Sequence, residues 1–146
     1  MPHYSISQWF LWGLTVLAIA LLYLKGRRPE RIAATAFVAS ALATLVFSSL
    51  HIGGFQWAVA LVELALASVL IGLSLRVDRW WLMAAAGTQL IAPITFGLAA
   101  LSPDVQVWAA VSMRLAVWFQ LMLAALFGVL ECRYAPYAQP TPSPVT

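Results

Sequence analysis

Charge is the first thing this sequence lacks. Only 9% of its 146 residues are Asp, Glu, Lys or Arg, against about 25% in a soluble domain. With 63% hydrophobic residues, such a chain would expose too much apolar surface in water, and a bilayer is the expected solvent. Cysteine is nearly absent. Cys132 stands alone, which excludes an internal disulfide framework and predicts a free thiol. The opening "MPHYSISQ" holds no Lys or Arg, so the positive start of a secretory signal is missing and the first apolar segment is expected to be retained. No HExxH, no phosphate-binding glycine loop and no GxSxG elbow occurs, which lowers the case for an enzyme without excluding an unfamiliar intramembrane active site, and leaves any cofactor unknown. Internal repeats are also missing, against the inverted-repeat plan of many transporters. Basic residues flank the apolar segments instead of forming a soluble patch, so no nucleic-acid partner is expected.

What is present is a set of long hydrophobic runs. A bilayer core of about 30 Å needs roughly 20 apolar residues in a helix. Five segments meet that need, at about 6–24, 31–50, 55–75, 80–101 and 105–131. The breaks are "KGRRPER", "HIGGF", "RVDRW" and "LSPDV". Gly53 and Gly54 suit a tight bend, Asp78 suits the N-cap of the fourth helix, and Ser102 with Pro103 suits the start of the fifth. Short links favour antiparallel neighbours. The sequence therefore predicts an all-α, five-helix transmembrane bundle over residues 1–134, followed by a Pro-rich tail over 135–146 that cannot continue a helix.

Lys25, Arg27, Arg28, Arg31, Arg76, Arg79 and Arg133, seven of the eight basic residues, fall on one side of the expected bundle. The positive-inside rule then puts the N-terminus outside, in the periplasm, and the C-terminus in the cytoplasm. Trp9, Trp12, Trp57, Trp80, Trp81 and Trp108 lie near span ends, as an aromatic belt requires. Trp118 lies deep in the fifth span and is assigned to core packing. The cluster Lys25, Arg27, Arg28 and Arg31 is expected to face anionic lipid or an acidic partner.

Polar residues inside the runs are few. Ala36, Ser40, Thr44 and Ser48 recur at intervals of four in the second span, and Ala85, Gln89, Pro93 and Gly97 do so in the fourth. Small and polar residues at that spacing let helices approach and hydrogen-bond in lipid; Gln120 is a further candidate for such packing. Pro93 is expected to kink its helix.

Two ionisable residues lie within the runs. Glu63 is eight residues, and so roughly 12 Å, from the outer start of the third span; Arg114 is nine residues, roughly 14 Å, from that of the fifth. At about 2.5 to 3.5 kcal/mol each at mid-helix, a salt bridge between two neighbouring helices offsets the cost of both. Structural and functional readings compete. The pair fixes helix register; or Arg114 snorkels outward beside a protonated Glu63; or the pair marks a substrate or proton path. His3, His51 and Asp104 are too scattered on a tail and two turns for a metal site, and a bis-His haem has only His51 near a span.

The stretches "QWFLWGLTVLAIALLY", "GRRPERIAA" and "SLRVDRWWLMAAAGTQL" resemble small multi-pass inner-membrane proteins of alphaproteobacteria. That resemblance implies a bacterial inner-membrane location and supplies no activity and no site residues. Small size, short loops and a tail suited to docking lead to the expectation of a non-catalytic accessory or assembly subunit, with lipids and other membrane subunits or further copies of itself as partners. The alternative is a small transporter or channel-like protein using Glu63 and Arg114. An intramembrane enzyme with His51 or Glu63 as base comes third.

Overall fold

The computed structural model describes residues 6–47, 57–101 and 107–135. Its helices are α1 (Ile6–Lys25), α2 (Arg28–Phe47), α3 (Trp57–Ser74), α4 (Trp80–Gln89), α5 (Ile91–Leu101) and α6 (Val107–Tyr134). No strand occurs among the described residues. Gly53, Gly54, Ser102, Pro103, Ser48, His3, His51, Asp104 and residues 136–146 lie outside the described residues.

α4 and α5 are one rod with a kink. Pro93 has no N–H to offer the Gln89 carbonyl and its ring crowds that carbonyl, which interrupts the helix just before it. Leu90, between the two segments, keeps a right-handed helical conformation and donates to Ala86 O at 3.2 Å. The chain therefore bends there without reversing.

One helix start and one helix cap differ from the sequence expectation. α2 begins at Arg28, so that only Gly26 and Arg27 separate it from α1. Glu30 makes this possible: its Oε2 accepts from the Arg27 N–H at 2.9 Å, as an acidic side chain in the first turn does when it reaches back to the cap residue. A Cβ on Gly26 would meet the Glu30 Cβ at 2.5 Å, so this tight turn needs glycine. α4 starts after Arg79, whose backbone is extended and whose side chain makes no cap bond. Asp78 is exposed and is not the cap. Glu131 of α6 serves instead: its two oxygens accept from the Trp80 and Trp81 N–H groups, each at 3.1 Å.

Five rods close into a ring. α1 packs on α2, α2 on α3, α3 on α4 and α5, these on α6, and α6 back on α1. Tyr23 and Thr35 share a 2.6 Å hydrogen bond across the α1–α2 turn. The ring is filled by Leu22, Phe37, Leu70, Leu82, Leu121 and Met122, all fully buried. Small residues let the rods approach: the Trp81 ring lies where a Gly128 Cβ would stand, 2.6 Å away. Trp81 is thus buried between α4 and α6, not in an outer aromatic belt, whereas Trp9, Trp12, Trp57 and Trp80 are exposed.

The outer surface is apolar. Val16, Leu42, Leu61, Met83, Ile94 and Phe127, one on each of the six helices, are all more than half exposed. α2, α3 and the Ser112–Tyr134 stretch of α6 are each long and apolar enough to cross a membrane, and the Trp9–Lys25 stretch of α1 is a shorter apolar helix.

Candidate functional site inside the ring

One face of each helix points inward. On α3 the buried positions are Val59, Glu63, Leu66, Ala67 and Leu70, a spacing of one helical face. Glu63 is therefore carried into the ring by the same periodicity that carries the leucines. On α4 Gln89 continues the face of Leu82, Ala85 and Ala86 and is fully buried.

The structure brings Glu63 and Arg114 together. Arg114 Nη2 lies 3.2 Å from Glu63 Oε1. α3 and α6 are separated in the ring by the α4–α5 rod, so the pair spans the interior; it does not join neighbouring rods. Glu63 Oε2 accepts from Gln89 Nε2 at 2.6 Å, and the same amide nitrogen lies 3.4 Å from the Glu63 backbone O. Arg114 Nη2 also donates to Thr44 Oγ1 at 3.4 Å. Four rods thus meet at one carboxylate and one guanidinium. Among the described residues Gln89 Oε1 has no hydrogen-bond partner.

These groups border a cavity of about 420 Å³, within the range of small-molecule sites. Thr15, Ser40, Thr44 and Trp118 also line it. The Trp118 indole N–H donates to Thr15 Oγ1 at 2.9 Å, and the ring stands edge-on to Phe37 with centroids 6.3 Å apart. Trp118 therefore does two things: it packs on the core and closes one wall. Ser40 and Thr44 face the cavity, while α2 packs on α1 and α3. The cavity lies above a dry core, because below it Leu22, Phe37, Leu70 and Leu121 are sealed.

Gln120 is exposed on α6 and does not serve packing within the bundle. Lys25, Arg27, Arg28 and Arg31 are all exposed at the α1–α2 turn. Near them lies a second ion pair that sequence reasoning missed: Arg79 Nε is 3.5 Å from Glu30 Oε1, both side chains almost wholly buried. Glu30, Arg79 and Glu131 together tie the starts of α2 and α4 to the end of α6. The one available signal was Glu30 placed three residues after a turn residue. Cys132, half-buried, is a free thiol beside this cluster. No group of three or more His, Cys, Asp or Glu side chains able to hold a metal occurs among the described residues.

The chain matches no protein-family model, no curated protein and no solved structure.

Proposed function

We propose that the protein is embedded in a bacterial inner membrane, crosses it five times with the N-terminus in the periplasm, and binds a small molecule in its interior at Glu63 and Arg114. Its apolar outer surface supports the membrane setting. The α4–α5 rod, residues 80–101, rises about 33 Å at 1.5 Å per residue and is long enough for a fifth crossing. Lys25, Arg27, Arg28, Arg31, Arg76, Arg79 and Arg133 gather at one end of the rods, which supports a cytoplasmic location for that end.

One observation carries the binding reading. The ion pair is not sealed: the Arg114 side chain is 36% exposed and opens on the cavity, while that of Glu63 is 7% exposed. A pair that served helix register alone would gain from being closed off by packing. The dry core beneath the cavity favours a binding or carrier role over an open pore, since a pore needs a continuous polar path.

A second reading, an accessory subunit of a larger assembly, is favoured by Gln120. This carboxamide is exposed partway along an apolar helix, and in lipid it would be satisfied by a polar group on another helix.

Native mass spectrometry of the protein extracted from its own membrane in mild detergent separates the two. The binding reading expects a small-molecule adduct that Ala41→Trp, which fills the cavity wall, removes. An adduct-free chain that travels only with other polypeptides contradicts it and leaves the subunit reading standing.

A further inference from the structure

We infer that the cavity takes a single-tailed amphiphile with an anionic head, the head on the Arg114 guanidinium and the tail toward the apolar mouth. This rests on the reading of the cavity as a binding site. The chemistry follows from how the pair is presented. Both Glu63 oxygens are committed, one to Arg114 and one to Gln89, and the residue is 5% exposed. An arriving molecule cannot reach the acid without breaking those bonds. It meets the guanidinium instead. Arg114 uses only Nη2 for its contacts with Glu63 and Thr44. Among the described residues no hydrogen bond uses Nε or Nη1, whose donors lie in the planar fork that suits a carboxylate or phosphate. The exposed side of a neutral pair is therefore its cationic side.

The mouth decides between a free anion and an amphiphile. Trp12, Leu45 and Leu115 line the cavity and are also exposed on the outside, at 52%, 61% and 43%. A hydrated anion would have to shed its water while passing one indole and two isobutyl groups. A molecule whose tail already lies in hydrocarbon loses nothing there. Its head reaches the guanidinium and the Thr44 hydroxyl, and its tail stays against surfaces as apolar as lipid.

Equilibrium binding of radiolabelled probes to the protein in lipid nanodiscs, with empty discs subtracted, tests this. The probes are laurate, lauryl alcohol and lauryl trimethylammonium, which share one tail, and acetate, which has none. A charge-assisted hydrogen bond is worth about 1.5–3 kcal/mol, so laurate is expected to bind about tenfold or more tighter than the alcohol. Arg114→Gln should abolish that preference. Glu63→Gln should strengthen laurate binding, because the guanidinium loses its counter-charge. The double variant, which leaves no unpaired charge, should bind the alcohol as the native protein does and show no preference for laurate. Equal weakening of laurate by both single variants would mark the pair as scaffold and overturn the head placement. Preference for the ammonium probe overturns the anionic class, and acetate as tight as laurate overturns the tail. If alcohol and laurate bind equally and Ala41→Trp abolishes both, the cavity binds but the anionic head is wrong. No probe bound above empty discs rejects the cavity reading itself.

Discussion

Gln89 and Glu63 are joined by a 2.6 Å hydrogen bond between adjacent rods of the ring, the amide nitrogen of one on Oε2 of the other. This bond leaves each Glu63 oxygen with a partner: Arg114 on one and Gln89 on the other. Gln89→Leu keeps the volume and removes the donor. A buried acceptor left unsatisfied costs about 1–3 kcal/mol, more where it is charged. Unfolding in mixed micelles should show a loss at the upper part of that range, while Gln89→Glu should lose more, by placing two carboxylates side by side.

Glu131 provides the cap that α4 lacks locally. Removing a side-chain cap costs about 0.5–2 kcal/mol. Glu131→Ala should lower stability by about that amount and speed hydrogen exchange at the Trp80 and Trp81 amides, which it holds at 3.1 Å. Unchanged exchange at those two amides would show that the cap is not formed.

Gly128 is a matter of space. Trp81 atoms stand 2.6 to 2.7 Å from where its Cβ would be, so even alanine must push an indole held between two rods. Overpacking of this kind costs about 1–3 kcal/mol. Gly128→Ala should destabilise the bundle and change the near-ultraviolet circular dichroism of the buried indole; Gly13→Ala, with open space around its Cβ, should do neither.

The proposed orientation is open to direct labelling. In a Cys132→Ser background, a single cysteine at Arg28, which is exposed at the basic end, should react with a membrane-impermeant maleimide in inverted vesicles and not in right-side-out ones. The reverse pattern would place the basic end in the periplasm.

The all-helical architecture was legible because apolar runs of helix length are a one-dimensional signal. The level of Glu63 and Arg114 was too, because depth in a helix follows from the rise per residue. Which rod faces which was not. Arithmetic along each helix places the two charges at one height, but it does not say that α3 and α6 lie across the ring with a third rod between them. The two glutamines show the same limit. Gln89 lies among Leu82, Ala85 and Ala86 on the buried face, whereas Gln120 points well away from the face formed by Val117, Leu121 and Ala125. A lone polar residue does not tell these cases apart; only the face it shares does. Asp78 was the local choice for a cap, and it lost to a carboxylate some fifty residues away, beyond the reach of any reading confined to neighbouring positions.

Glu63 and Arg114 act as one unit inside the ring, and a double-mutant cycle measures that coupling most directly. Glu63→Gln or Arg114→Gln alone leaves an uncompensated charge in the interior and should cost about 3 kcal/mol in unfolding from mixed micelles; the two together leave none and should cost clearly less than the sum of the singles. Strict additivity, with the double variant as unstable as the two losses combined, would mean that the two groups do not interact in the folded protein.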